Sequence, residues 1–161
     1  MLLKNLLIIL LVSGTVKCSF AQKLNIAVFY KKNIKTIIFT TLSGKYEIAD
    51  DGTMITSAAP SDAYSITSEN NIVSIRNNKN KTLGYFRKLE LTAANNSGTF
   101  QIEPASPPML KREYEDDLTV VSKNGNLLII NKIDIEKYIA GVVETEGGSN
   151  APPEFYKSQA I

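Results

Sequence analysis

Histidine is absent from the 161-residue chain, and cysteine occurs once, as Cys18. Because zinc is held mainly by histidine and cysteine, the sequence does not supply the ligands of a zinc or thiolate site. Carboxylates remain available for a hard cation, but no ligand spacing points to one. We therefore expect a protein without a metal or any other cofactor.

A surplus of charge of one sign is also absent. The chain has 18 lysine and arginine residues against 16 aspartate and glutamate residues, and two of the lysines, Lys4 and Lys17, precede residue 22. Nucleic-acid-binding proteins concentrate basic side chains in a patch or a stripe. We therefore expect no nucleic-acid partner.

No apolar run is long enough to span a membrane. Residues 6–12 are apolar throughout, whereas a transmembrane helix needs about 20 such residues. A short basic start, this apolar run and then the small residues Ser19 and Ala21 are typical of a signal peptide. We predict that residues 1–21 are a signal peptide, and that cleavage before Gln22 leaves a chain without a stable membrane span.

The single cysteine lies inside this predicted signal peptide. A lipid anchor on Cys18 is an alternative, but Lys17 stands where a small residue is expected before such a cysteine. An exported chain that uses no disulfides is more typical of a bacterial envelope than of a small extracellular domain. We therefore expect a secreted or periplasmic protein of the cell envelope.

Residues 22–121 have the pattern of short β-strands. Runs rich in β-branched and aromatic residues are separated by turn-forming residues, as in a β-sandwich or an open barrel. Residues 31–33 are interpreted as a hairpin loop, Asp50-Asp51-Gly52 as a tight turn, and residues 104–108, with three prolines, as a loop. The strands are predicted at 24–30, 34–41, 45–49, 63–67, 72–75, 82–86, 98–102 and 117–121.

The pattern changes after Asn126. Residues 127–130 form a fully apolar strand, and residues 131–134 offer a helix N-cap. Helical spacing then begins, with a predicted buried stripe of Ile135, Tyr138, Ile139 and Val142. The fold class is therefore mainly β with a C-terminal α portion, an α+β domain in which short strands precede two helices. The second helix is predicted to open at Pro152 or Pro153.

Two glutamates follow this stripe. At about 100° per residue, Glu146 falls within roughly 20° of the direction of Ile135, whereas Glu144 points to the opposite side. A carboxylate at the edge of an apolar face loses hydration, which raises its pKa and suits it to donate a proton. Gly147 and Gly148 would let a ligand approach closely. The spacing equally allows an ordinary helix-end glutamate that turns to solvent.

The same residues resemble a known family. Ile130-Asn131, Glu136-Lys-Tyr138-Ile139, Gly141-Val-Val143, Glu146, Pro153-Glu154 and Lys157-Ser-Gln159-Ala160 are similar to the core of the SpoIID/LytB domain. That domain typifies the stage II sporulation protein D and the amidase-enhancer proteins. Upstream, Arg112-Glu-Tyr114-Glu-Asp116-Asp-Leu118 resembles the Arg-x-Tyr-x-Gly-x-Leu pattern of the family.

The resemblance implies an activity on peptidoglycan. Active members of the family are lytic transglycosylases, and the family's catalytic glutamate corresponds to Glu146. It would protonate the glycosidic oxygen between muramic acid and glucosamine, and the carboxylate would then accept a proton from the sugar's 6-hydroxyl to close a 1,6-anhydro ring. We predict that the substrate contacts involve Tyr138, Gly147, Gly148 and Gln159. Glycan strands are the expected partner, with a cell-wall amidase as a further one.

The resemblance also implies that the domain is incomplete. Family sequences continue beyond the position of Ile161, so residues 122–161 are expected to be the truncated start of a catalytic core, with residues 22–121 as the β-rich part before it. Low activity is therefore expected for this chain. Gly147 replaces the family's methionine, and Phe155-Tyr156 stands where the family has Ala-Leu.

Two other hypotheses stay open. The chain could be a non-catalytic wall-binding module or an amidase enhancer, with sugar rings stacked on exposed tyrosines such as Tyr46, Tyr64 and Tyr85. Alternatively, it is an exported β-domain of unknown partner in which Glu146 only ends a helix.

Overall fold

The structure is a computed structural model that describes residues 22–147, with side chains as far as Val143. The described part consists of antiparallel strands followed by a single α-helix, α1 (Ile135–Gly147). The strands are β1 (Lys23–Val28), β2 (Thr36–Ser43), β3 (Tyr46–Asp50), β4 (Thr53–Ala58), β5 (Ala63–Glu69), β6 (Ile72–Asn77), β7 (Thr82–Phe86), β8 (Lys88–Ala93), β9 (Thr99–Ser106), β10 (Arg112–Glu115), β11 (Asp117–Lys123) and β12 (Asn126–Asp134).

The strands form two six-stranded sheets, each antiparallel throughout. Sheet A has the order β1-β12-β11-β8-β3-β4, and sheet B has the order β10-β9-β2-β5-β6-β7. One cluster of buried apolar residues draws on both sheets. The predicted mainly-β fold with a C-terminal helix is therefore confirmed, and its form is a β-sandwich.

Period-two alternation builds this core. Along β2, Ile37, Phe39 and Thr41 are buried, while the residues between them are partly exposed. Successive side chains of a strand point to opposite faces of its sheet, so a strand with apolar residues at every second position packs one face inward. β9 and β12 alternate in the same way. The sequence predicts these strands from their β-branched and aromatic residues and from the turns between them, and the structure adds the alternation.

Aromatic rings occupy one end of the core. Phe39, Tyr46 and Phe100 lie with centroids 5.3–5.7 Å apart, and Tyr114 stacks on Phe100 at 5.7 Å. Phe29 meets the edge of Tyr114 at 6.3 Å. Edge-to-face and offset pairs of this kind add stabilisation beyond the area they bury. The cluster connects both sheets through β2, β3, β9 and β10.

The predicted hairpin between the first two strands is wrong. β1 pairs with β12 in sheet A, whereas β2 lies between β9 and β5 in sheet B. Phe29, Lys31 and Asn33 have positive φ values of 54°, 61° and 52°, and through this irregular segment the chain crosses from one sheet to the other. Residue composition favours a strand, but it does not determine the strand's partner.

The interpretation of residues 104–108 as a loop is also wrong in part. Pro104 lies within β9 and pairs with Ile37 of β2. β10 covers β9 only from Thr99 to Ile102, so Pro104 lies beyond this ladder at the edge of the sheet, where its carbonyl accepts from the Met109 N–H at 3.1 Å. A proline, which has no N–H group, is tolerated at such an edge because no ladder hydrogen bond is lost.

The turn predicted at Asp50-Asp51-Gly52 is confirmed, since it joins the antiparallel pair β3 and β4. Three strands were not predicted: β4, β8 and β10. In β8 the signal was present, because Leu89, Leu91 and Ala93 alternate with polar residues and are buried. The predicted signal peptide and second helix lie outside the described residues.

Candidate functional site

Helix α1 begins directly at the end of β12, as the N-cap signal predicted. The Asp134 Oδ1 accepts hydrogen bonds from the backbone N–H groups of Glu136 at 2.8 Å and Lys137 at 3.4 Å. A side-chain acceptor at this position satisfies donors that the first helical turn leaves free. The carbonyl of Gln22 accepts from the N–H of Ile135 at 2.9 Å, which joins the start of β1 to the same point.

A buried carboxylate lies beside this helix start. Asp116 sits in the turn between β10 and β11, is 2% exposed and has a φ of 65°. Its Oδ2 accepts from the backbone N–H of Asp134 at 2.9 Å, and its Oδ1 accepts from Lys137 Nζ at 2.6 Å. The Arg-x-Tyr-x-Gly-x-Leu pattern has glycine here, which suits the left-handed backbone. Aspartate also tolerates that conformation and adds a carboxylate.

A second buried polar group supports the same corner. Asp117 binds Lys23 Nζ at 2.7 Å through Oδ2, and its Oδ1 accepts from the Ala93 N–H at 3.0 Å. Asn131 donates through Nδ2 to the carbonyls of Glu115 at 2.7 Å and Asp117 at 3.0 Å. Buried polar groups stabilise one arrangement only when their hydrogen bonds are made, as they are here. The end of β12 is therefore tied to β11 by side chains as well as by the ladder.

Lys137 links the helix to this acidic corner. The hydrogen bond from its ammonium group to Asp116 raises the pKa of Lys137, although burial opposes the shift. The Glu115 carboxylate lies 3.3 Å from the same ammonium group. Lys137 therefore carries its charge at any pH at which the protein is expected to work, and it offsets the carboxylate of Asp116.

A cleft of about 460 Å³ opens between α1 and the strands β1, β10 and β12. Its walls are mainly apolar, with Ile26, Val28, Ile133 and Val142 beside the rings of Tyr114 and Tyr138. Lys137, Asn131 and two glutamates of β10 supply polar groups to its lining. A mostly apolar cleft with a few polar groups is the usual form of a ligand site.

The prediction of a buried stripe on α1 is wrong for three of its four residues. Tyr138, Ile139 and Val142 are 37%, 46% and 37% exposed, and Ile135 alone is half-buried. In the described part of the chain, Tyr138 and Val142 line the open cleft instead of packing in the core. The spacing correctly predicted a helix with one apolar face, but it could not tell a core from a cleft wall.

The predicted site residues fall into two groups. Tyr138 lies in the cleft lining, and Glu146 and Gly147 belong to the last turn of α1 by their backbone. The side chain of Glu146 lies outside what the structure describes, as do Gly148 and Gln159 altogether. A shared site of Tyr138 and Glu146 stays a prediction.

The tyrosines proposed for sugar stacking are mostly inaccessible. Tyr46 is fully buried and Tyr64 is 7% exposed, so neither can present a ring face to a glycan. Tyr85 on the edge strand β7 is 58% exposed. Tyr114, which the stacking hypothesis did not include, lines the cleft, and burial raises its pKa against the opposing charge of Arg112.

Residues 22–143, whose side chains the structure describes, hold no cluster of three or more acidic, cysteine or histidine side chains that could bind a metal. No helix in the described residues is long and apolar enough to cross a membrane.

Fold and site together define an antiparallel β-sandwich in which an interior strand runs directly into a helix that borders an open cleft. Residues 123–161 match the family model SpoIID, described as a stage II sporulation protein. The match begins at Lys123, the last residue of β11, and includes β12 and α1 with Glu146. It confirms the SpoIID resemblance for this quarter of the chain, and it relates the protein to sporulation and the cell wall. Neither a curated protein nor a solved structure matches the chain significantly.

Proposed function

We propose that this protein is an exported cell-envelope protein of the lytic transglycosylase type, which cleaves peptidoglycan glycan strands with Glu146 as its acid and base. The observation that carries the proposal is the SpoIID match over residues 123–161, because that segment contains the Gly141-Val-Val143 motif and the glutamate that follows it. The helical backbone through Gly147 supports it, since Glu146 then lies on the same helix as the cleft-lining Tyr138.

One carboxylate is sufficient for the proposed reaction. Protonated Glu146 donates its proton to the glycosidic oxygen as the bond to the muramic acid carbon breaks. The resulting carboxylate takes the proton of the 6-hydroxyl, whose oxygen bonds to the same carbon and closes the 1,6-anhydro ring. Glycosidases that use water generally need a second carboxylate to activate it. An intramolecular nucleophile removes that need.

The test compares three forms of the full chain on purified glycan strands. We expect wild-type protein to release a low level of products with 1,6-anhydro ends, detected by mass spectrometry, and Glu146→Gln to release none above background. Glu144→Gln is the matched control, because it makes the same change two residues earlier on the helix and should retain activity. Equal product release by Glu146→Gln and wild type would contradict the assigned role.

A second candidate function is non-catalytic binding of the cell wall, for which the cleft is the supporting observation. Its apolar walls carry the rings of Tyr114 and Tyr138, and aromatic rings of this kind pack against sugar faces. Glu146→Gln should then still sediment with purified sacculi, whereas Tyr138→Ala should sediment with them less. Binding by Tyr138→Ala equal to that of wild type would contradict the use of this cleft.

That binding test requires the full chain. β12 lies between β1 and β11 in sheet A, and the carbonyl of Ile34 also accepts from the Leu127 N–H at 2.6 Å. A shortened chain of residues 22–125 would lose an interior strand and leave β1 without its partner. Absence of binding by such a fragment would therefore report lost structure instead of a lost site.

A further inference from the structure

We infer that Asp116 is a positioning residue for α1: its carboxylate sets the direction in which the helix leaves the sandwich and thereby the place of Glu146. The consequence for catalysis rests on the proposed function, whereas the consequence for the helix does not. The inference comes from the geometry of the corner between β10, β11 and β12.

Asp116 holds the helix at two points. Its Oδ2 binds the N–H of Asp134, the last residue of β12, and its Oδ1 binds Lys137 Nζ almost one turn further on. One attachment fixes a point on the helix but leaves its tilt and rotation free. Two attachments, to points separated along and around the helix axis, restrict both.

The cap and the other backbone hydrogen bond described at the helix start do not replace these. The cap made by Asp134 and the bond from Ile135 to the Gln22 carbonyl both act at the first residues. Further along, three of the apolar residues of α1 are more than a third exposed, so packing on the described strands restrains the helix little. Glu115 approaches Lys137 at 3.3 Å, but its side chain is 50% exposed, and an exposed ion pair is weak.

Asp116 itself is held rigidly. Its backbone N–H donates to the Gly98 carbonyl at 3.0 Å, and its side chain is 3% exposed. A buried carboxylate is strongly disfavoured without a partner, so the pairing with Lys137 is maintained whenever the corner is folded. The anchor is therefore part of the sandwich, and the helix is the element that it positions.

A small error at the anchor is magnified at Glu146. Glu146 is 12 residues beyond Asp134, which corresponds to about 18 Å along the helix axis. A tilt of about 10° would displace that end by roughly 3 Å, and a displacement of about 1 Å can lower a rate on the order of a hundredfold. Loss of the anchor should therefore lower kcat more than it raises KM.

The test uses the full chain with Asp116→Gly, Asp116→Asn and Lys137→Met, and with Lys132→Met as the control. Lys132 is an exposed lysine of β12, so its replacement removes one positive charge but leaves the contacts of Asp116 unchanged. Amide hydrogen exchange is followed in residues 135–143 and in the sheets, and glycan cleavage gives kcat and KM separately.

We expect Asp116→Gly and Lys137→Met to speed exchange in α1 about tenfold or more, and by a larger factor than in the sheets. Asp116→Asn retains an acceptor for the Asp134 N–H and should show a smaller effect. Lys132→Met should match wild type. Where activity is present, kcat should fall about tenfold or more with KM nearly unchanged.

Unchanged exchange in α1 for Lys137→Met, which removes the attachment at Lys137 and keeps the one at Asp134, would overturn the inference. Lower kcat without faster exchange would overturn it as well. If wild type releases no glycan product, the proposed function fails, and the exchange measurement alone still decides whether Asp116 positions the helix.

Discussion

The sandwich core and helix α1 are stabilised by opposite means. In the core, Phe39, Tyr46 and Phe100 are fully buried and contact one another across both sheets. In α1, Tyr138 and Val142 border an open cleft, and hydrogen bonds and ion pairs fix the first turn of the helix. Burial therefore stabilises the scaffold, whereas polar contacts position the helix that carries the proposed catalytic residue.

This difference predicts that the sandwich unfolds as one cooperative unit, whereas α1 can open separately. Apolar burial is the main favourable term in folding, so a lesion in the core should lower the stability of the whole sandwich. A helix held by a few polar groups can open locally at a much lower free energy. Substitutions in the core and in α1 should consequently be detected by different measurements.

The largest effect is expected for Phe100→Ala. Phe100 contacts Phe39, Tyr46 and Tyr114, so truncation leaves a cavity that the surrounding rings cannot fill. We expect a loss of about 3–5 kcal/mol in the free energy of unfolding, measured by chemical denaturation. Tyr85→Ala, at an exposed ring, is the control and should change it by about 0.5 kcal/mol or less. Similar losses for both would show that the cluster is not the core of the fold.

The next effect concerns Gly98, which lies against the same cluster. A Cβ atom at this position would come within 2.8–2.9 Å of the ring and hydroxyl of Tyr46. We expect Gly98→Ala to cost about 1–3 kcal/mol through overpacking, measured as above. Gly125→Ala is a useful comparison, because nothing lies within 4 Å there and only its φ of 74° opposes the change. A neutral Gly98→Ala would mean that Tyr46 can move without cost.

The strands with regular alternation could be predicted from sequence because burial on one face is a local pattern. Their partners could not be, since pairing depends on residues far away in the chain. β1 illustrates this: it was expected beside β2, yet it pairs with β12, about a hundred residues later. β10 was missed because Arg112-Glu-Tyr-Glu115 is short and mostly charged, and only its pairing with β9 makes it a strand.

In the candidate site, too, local contacts could be predicted from the sequence and long-range contacts could not. The start of α1 was predictable because Asp134 caps it by accepting hydrogen bonds from the N–H groups two and three residues further along the chain. The role of Asp116 was not, because its partners are 18 and 21 residues distant. Its place in the glycine position of the family pattern was a signal of a left-handed backbone. That signal did not indicate where its carboxylate would bind.

A moderate and local effect is expected for Asp134→Ala. This change removes the acceptor for the N–H groups of Glu136 and Lys137, and loss of an N-cap costs about 1 kcal/mol. Because α1 packs little on the core, we expect faster amide exchange in residues 135–143 with a nearly unchanged melting temperature. A drop in the melting temperature as large as that of Gly98→Ala would contradict the separation of helix and sandwich.

A smaller effect, and one that depends on pH, is expected at Tyr46. Burial, with added repulsion from Asp117 and Asp116, raises the pKa of Tyr46 well above its ordinary value. The folded state therefore resists ionisation that the unfolded chain undergoes near pH 10. The stability that Tyr46 contributes is complete below about pH 10 and is lost as the pH rises toward the higher folded-state pKa.

Tyr46→Phe should remove this part of the alkaline decline, as measured by denaturation between neutral pH and about pH 11. At neutral pH it should be neutral or stabilise by about 1 kcal/mol, because the hydroxyl is buried without a hydrogen-bond partner among the described residues. A residual alkaline decline is expected from Tyr114, whose pKa burial also raises. A loss of stability at neutral pH would show that the hydroxyl has a partner in solution.

The smallest effect is expected for Ile139→Ala, and it tests the comparison most directly when the same substitution in the core serves as its reference. Ile129 is 1% exposed in the core, and Ile139 is 46% exposed on α1. Ile129→Ala should cost about 2–5 kcal/mol, whereas Ile139→Ala should change the free energy of unfolding by about 0.5 kcal/mol or less. If Ile139→Ala were as costly as Ile129→Ala, the apolar face of α1 would be covered in solution. The helix would then be held by burial as the strands are, and the polar anchor at Asp116 would no longer be needed to explain its position.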